Sequence, residues 1–218
     1  MAKRRIGIIM DPIEDINTKK DSSFAMMLAA QKRGWQVHYI QPQDLYIQSS
    51  KLRTQTSIVT LMDNPKQWFT IEEQFDTSIT HFDALIMRRD PPFNIDYIYN
   101  TYLLEMAENE GVLVVNKPAS IRDANEKLFT TQFPECCVEN LVSSQMEKLK
   151  EFIRQQGDVI LKPLDGMGGA SIVVEETRCT ASQSIVRWKS MNGAWIEKLN
   201  RQKPARPEAG GLIHPRER

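Results

Sequence analysis

Residues 160–171 run I-L-K-P-L-D-G-M-G-G-A-S, in which Lys162 projects from an apolar strand pattern and Gly166, Gly168 and Gly169 follow close together. Glycines permit positive φ and a close backbone approach, so successive N–H groups can turn toward phosphate oxygens while a lysine offsets their charge. The segment is a candidate phosphate loop, and the alternative is a hairpin turn whose glycines serve only geometry. It is neither a Walker A loop nor a G-x-G-x-x-G turn opening a helix. A second constellation is Arg88-Arg89-Asp90-Pro91-Pro92, directly behind an apolar run at 84–87. Guanidinium groups grip carboxylates in a two-bond fork, which makes Arg88 and Arg89 candidates for holding an acidic ligand. The competing reading puts them in salt bridges that anchor the turn. Asp11, Ser22 and Ser23 lie after the first apolar run and at the next helix start, where an anionic group is readily held, although helix capping explains the same residues. His38, His81 and His214 have no partners at useful spacing and receive no role. Three cysteines, two of them adjacent at Cys136 and Cys137, form neither a disulfide framework nor a metal-ligand pattern.

The elements that must position these residues follow from periodicity and punctuation. Residues 5–10 form a compact apolar strand ending at Asp11-Pro12. Asp21, Ser22 and Ser23 offer caps to a helix over 24–30, and Gly34 stops it. A strand over 35–40 completes a βαβ opening, which crosses over right-handed onto a parallel sheet. Strands are expected at 57–62, 84–87 and 112–115. Asn94 caps a helix over 95–109 whose residues Ile95, Ile98, Tyr102 and Met106 recur at helical spacing before Gly111. Helical stretches near 121–129 and 144–156 and a strand at 159–162 belong to a following unit. In such open α/β sheets the functional edge lies where strands end.

Composition bounds the class. The chain has 218 residues, 41% hydrophobic and 26% charged, enough for a sizeable core. No apolar run approaches the roughly twenty residues of a membrane span. The stretch behind Lys3, Arg4 and Arg5 is too short for a secretory signal, so a cytoplasmic location is expected. Net charge is zero, but from residue 173 onward nine Lys or Arg stand against five Asp or Glu. These charges are scattered and lack an aromatic-interleaved stripe, which argues against nucleic-acid binding.

Several strings also occur together in order: N-K-P at 116–118, R-D-A-N-E-K at 122–127, and the glycine segment at 160–171, as in ATP-grasp ligases. With M-D-P at 10–12, K-K-D-S-S-F-A-M at 19–26 and M-R-R-D-P-P-F at 87–93, the chain resembles bacterial glutathione synthetase from about residue 6 to residue 172. The resemblance implies an N-terminal, mostly parallel α/β domain (1–118) followed by the first, incomplete part of an ATP-grasp domain (119–172). It implies an ATP-dependent carboxylate-amine ligase that joins γ-glutamylcysteine to glycine through an acyl phosphate. Lys127 and Lys162 would hold ATP phosphates, and Gly166, Met167, Gly168, Gly169 and Ala170 would close over them. Arg88, Arg89, Asp11, Ser22 and Ser23 become candidates for the peptide substrate. Mg²⁺ and a homo-oligomer are expected of the family.

The likeness is expected to stop at residue 172. Segment 173–218 mixes Trp188 and Trp195 into polar surroundings, shows no sustained period, and reads as an atypical, disorder-prone tail of truncated or out-of-frame origin. The family's carboxylate and asparagine ligands for Mg²⁺ have no counterpart here, so no metal site is assigned and the chain is expected to be incomplete for catalysis on its own. Two alternatives stay open: another ATP-grasp ligase with a different substrate, against which 19–26 and 87–93 speak, and a non-catalytic fragment that binds a partner.

Overall fold

The structure is a computed structural model that describes residues 3–164 and the backbone of two strands, Val173–Glu175 and Ala194–Lys198. The described residues fall into two units, one holding 3–129 and Leu164, the other 130–163 and the two late strands.

The first unit is built on a seven-stranded sheet. Its strands are β1 (Arg5–Met10), β2 (Gln36–Ile40), β3 (Leu45–Gln48), β4 (Lys51–Leu61), β5 (Phe69–Ser78), β6 (Ala84–Arg88) and β7 (Leu113–Val115). Strand order is β3-β4-β2-β1-β6-β7, with β5 on β4. Strands β2, β1, β6 and β7 run parallel, as the βαβ opening requires. Strands β3, β4 and β5 add an antiparallel edge, so the sheet as a whole is mixed. Of these three strands the sequence pattern signals only part of β4.

Central β1 is buried on both faces. Ile8 and Met10 pack with Phe24 and Met27 of helix α1 (Ser22–Lys32). On the other face Ile9 packs with Leu104 and Ala107 of helix α2 (Ile95–Asn109). Gly7 lies where any side chain would collide, since an added Cβ would sit 2.6 Å from Leu85 Cδ2 and 3.0 Å from Ile40 Cδ1. Asp21 caps α1, its Oδ1 accepting from Phe24 N at 2.7 Å, and Asn94 caps α2 through Tyr97 N at 3.0 Å. Gly34 and Gly111 follow the two helices with φ of +77° and +89°, the left-handed region that favours glycine.

Helix α2 has the expected limits, and its buried residues are not those of the apolar repeat. Ile95 and Tyr102 are exposed, whereas Asn100, Thr101, Leu104 and Ala107 are buried. Small or internally bonded side chains let the helix lie close to the sheet, and Thr101 Oγ1 donates to Ile98 O at 2.6 Å. The helix expected over 121–129 is instead helix α3 (Pro118–Asp123), a turn, and a 3₁₀ segment (Leu128–Gln132). Arg122 of α3 reaches back to α2, with Nη2 2.7 Å from Glu105 Oε2 and its guanidinium 4.7 Å from the centre of the Tyr102 ring.

The second unit has strands β8 (Asn140–Ser143), β9 (Val159–Pro163), β10 (Val173–Glu175) and β11 (Ala194–Lys198), with helix α4 (Met146–Gln156). The strands are antiparallel in the order β10-β9-β11-β8. Val159 and Leu161 of β9 pack on Leu149 of α4. Strands β10 and β11 fall within 173–218, where the sequence shows no strand period.

Candidate functional site

The residues singled out near the N-terminal strands converge through the sheet register. Met10 pairs with Arg88, so Asp11 and Arg89 leave neighbouring parallel strands at the same edge. Asp11 Oδ2 accepts from Asp90 N at 2.7 Å and thereby holds the turn after β6. Arg88 Nε donates to the buried Ser23 Oγ at 3.0 Å. Capping of α1 falls to Asp21, which leaves Ser23 available to orient Arg88. Ser22 is exposed in the first turn of α1.

Neither arginine anchors the turn as an ion pair. Among the described residues, no carboxylate lies within 4.0 Å of the Arg88 or Arg89 guanidinium nitrogens. Arg89 instead sits 5.6 Å from the centre of the Tyr97 ring, and Tyr97 Oη donates to Arg89 O at 3.4 Å. Phe93 supports that ring at a centroid distance of 5.1 Å. Burial pushes the Tyr97 phenol above its usual pKa, while the positive charges of Arg89 and Arg88 pull it partly back. These side chains open on a pocket of about 270 Å³ whose walls include Asn116, Ile121, Asn125 and Leu164. The arrangement offers two guanidinium groups, oriented by a serine and an aromatic face, to an acidic ligand.

Asn125 organises the turn that carries Lys127. Its Oδ1 accepts from Lys127 N at 3.0 Å and Leu128 N at 3.1 Å, and its Nδ2 donates to Leu164 O at 3.1 Å. Lys127 therefore stands on a turn and not on the expected helix. Its Nζ is 2.9 Å from Glu126 Oε1, and its side chain is only 12% exposed. Lys162 belongs to the second unit. It is half-buried on β9, on the face opposite the one that packs Val159 and Leu161 against α4, because strand side chains alternate. Gly166, Met167, Gly168, Gly169 and Ala170 lie outside the described residues. Among the described residues, no three His, Cys, Asp or Glu side chains come together as a metal cluster. No helix among them is long and apolar enough to cross a membrane.

Sequence reasoning did not select Tyr97 or Asn125 as site residues. Tyr97 carried one weak signal, its place three residues after the Asn94 cap. Asn125 stood inside a quoted string, but no pattern announces that one amide will hold three backbone groups.

Comparison with known proteins adds a family. The sequence model for prokaryotic glutathione synthetase, N-terminal domain, matches residues 5–122, and that for prokaryotic glutathione synthetase, ATP-grasp domain, matches 126–196. The second match thus takes in β10 and part of β11. Glutathione synthetase from Pseudomonas syringae pv. tomato is 55% identical over 168 residues, covering 77% of this chain and 53% of the relative. The Vibrio cholerae enzyme of that name is 54% identical over the same shares. The chain therefore spans about half the length of the curated relatives it matches. Among solved structures, D-alanyl-alanine synthetase A from Vibrio cholerae superimposes with a TM-score of 0.56 at 12% identity, covering 91% of this chain and 60% of that one. A RimK domain ATP-grasp protein from Sphaerobacter thermophilus gives 0.55 at 16% identity, covering 90% and 64%. These two share the fold. By its sequence across both domains, the chain belongs to the prokaryotic glutathione synthetase family.

Proposed function

We propose that this chain carries the substrate-side half of an ATP-dependent ligase that joins γ-glutamylcysteine to glycine, and that Arg88 and Arg89 hold a carboxylate of the dipeptide. The observation that carries this reading is the pair of guanidinium groups that, among the described residues, have no carboxylate partner at the edge where β1 and β6 end. Asp11 shapes the turn, Ser23 orients Arg88, and Ser22 lies at the rim. In this reading Lys127, Lys162 and the segment Gly166, Met167, Gly168, Gly169 and Ala170 serve ATP phosphates, since phosphoryl transfer needs positioning and charge neutralisation above all. The cysteinyl carboxylate oxygen would attack the γ-phosphorus and release ADP. The glycine amine would then attack the acyl carbon and release phosphate.

Family membership implies ATP and Mg²⁺. The lysines suit phosphate, whereas the described donors offer no acidic cluster for Mg²⁺, which prefers carboxylates and phosphate oxygens. The division into 1–118, 119–172 and an atypical 173–218, together with a cytoplasmic location and a homo-oligomer, belongs to the same proposal.

The test is phosphate release by the purified chain with ATP, γ-glutamylcysteine and glycine, alongside calorimetric titration of γ-glutamylcysteine alone. Substrate-dependent release supports the complete reaction. Binding without release supports the substrate half and shifts the reading to a non-catalytic fragment; neither binding nor release by folded protein overturns it.

A further inference from the structure

Arg89 differs from the other oriented arginines of the first unit. Arg88 is fixed by Ser23, Arg53 by Asp76 and Tyr46, and Arg122 by Glu105, Tyr102 and Thr101. Among the described residues, the Arg89 guanidinium meets no hydrogen-bond acceptor and lies instead over the face of Tyr97. Tyr97 is itself fixed from three sides. Its backbone N–H is tied to the Asn94 cap, its ring packs on Phe93, and its hydroxyl donates back to the main chain of Arg89. The ring thus grips both ends of one residue, its carbonyl and its charged head.

We propose that Tyr97 is the positioning residue of this site, presenting the Arg89 guanidinium edge-on to the pocket so that it can form a two-bond fork with a ligand carboxylate. The proposal rests on the reading that Arg89 meets a carboxylate. An aromatic face leaves all five guanidinium N–H groups unspent, whereas a carboxylate partner would consume two of them. The acidic groups nearby leave room for this. Asp11 is engaged with Asp90 N, Glu126 with Lys127, and Asp90 stands within electrostatic range of Tyr97 without pairing with Arg89. Holding a long side chain in its bound geometry before the ligand arrives lowers the ordering cost of binding. The isolated hydroxyl bond at 3.4 Å is the lesser part, so the ring face carries most of the effect.

Two measurements test this. The first needs no ligand: the δ-methylene protons of Arg89, observed by NMR in arginine-labelled protein, should be shifted upfield by the ring current in the wild type and in Tyr97→Phe, and should return to the random-coil position in Tyr97→Leu. A random-coil position in the wild type overturns the proposal. The second is a double-mutant cycle on γ-glutamylcysteine affinity. Tyr97→Leu should weaken binding about tenfold when Arg89 is present and leave it unchanged in the Arg89→Ala background, because the two residues act as one unit. Equal loss in both backgrounds means that Tyr97 acts on the fold or directly on the ligand, and overturns the proposal. Tyr97→Phe should bind within about twofold of wild type, as expected for loss of a weak hydrogen bond. A wild type that shows the ring-current shift yet binds no γ-glutamylcysteine overturns the substrate reading and supports the hold of Tyr97 on Arg89.

Discussion

Arg53 and Arg88 extend from strands of the same sheet and are used in opposite ways. At the antiparallel edge, Arg53 Nε donates to Asp76 Oδ1 at 2.8 Å and lies 3.2 Å from Tyr46 Oη, and its terminal nitrogen closes a second contact with Asp76. Tyr46 also donates to Asp76, and these bonds, with Arg53, hold the Asp76 carboxyl below its usual range. Three strands, β3, β4 and β5, are cross-linked by a phenol and an ion pair that satisfy one another. At the parallel edge, Arg88 and Arg89 are oriented by a hydroxyl and a ring, and no carboxylate among the described residues neutralises them. A satisfied arginine belongs to the scaffold, whereas one that is held but not neutralised is what the proposed carboxylate site requires.

Removing both open arginines should have the largest effect. Arg88→Ala with Arg89→Ala should weaken γ-glutamylcysteine binding at least about a hundredfold, since charge-assisted bonds contribute about 1.5–3 kcal/mol each, while the melting temperature stays near that of the wild type. A large drop in melting temperature with little loss of affinity would place these residues in the scaffold instead.

The next effect concerns His38, which is wholly buried beside His81 and Phe82. Burial, followed by the positive charge of His81 and of Arg5, lowers its pKa to about 4. His81 is also held low by burial and Arg5, with Asp83 opposing. A base kept neutral in the folded state stabilises fully above its ordinary value near 6.5, and that stability is lost as pH falls from there toward about 4. By pH 5 the loss from His38 should reach about 2 kcal/mol, readable as a lower urea midpoint. His38→Gln should flatten the profile, and an unchanged slope would show that His38 is not the group responsible.

Asp11→Ala is expected to act through the turn. Loss of its bond to Asp90 N should weaken the dipeptide by about 1 kcal/mol, roughly fivefold, with the folded state retained. Unchanged affinity would separate Asp11 from the site. The smallest effect is assigned to Arg53→Met, where a slight fall in melting temperature and unaltered dipeptide affinity are expected because the pair is solvent-screened. Any loss of binding there would erase the distinction between the two edges.

The parallel edge was legible because its signals are local and mutually consistent. The short apolar runs of β1, β2 and β6, the Asp21 and Asn94 caps and the two stop glycines each announce themselves. The antiparallel edge lacked such signals. Strand β4 buries Thr54, Thr56 and Ser57, whose hydroxyls hide it from an apolar pattern, and β5 is largely exposed and carries Glu72 and Glu73. At the site, the arginines and Asp11 could be selected by chemistry, and Lys127 and Lys162 by family likeness. Their geometry could not. The hold of Ser23 on Arg88 and the bridge from Asn125 to Leu164 arise from tertiary register, which single-chain spacing does not encode. The buried face of α2 is hard to read for a related reason: it is small and partly polar, which lets the helix approach the sheet but leaves little hydrophobic signature.

The position of β1 between β2 and β6 also matters during synthesis. One edge of β1 can pair as soon as β2 has emerged from the ribosome, but its other partner begins at Ala84. At about 5–20 residues per second, the roughly 40 residues between Ile40 and Ala84 take about 2–8 seconds to translate. Throughout that interval a strand whose residues 6–10 end up buried presents an unpaired edge, a window in which a holding chaperone would find its target.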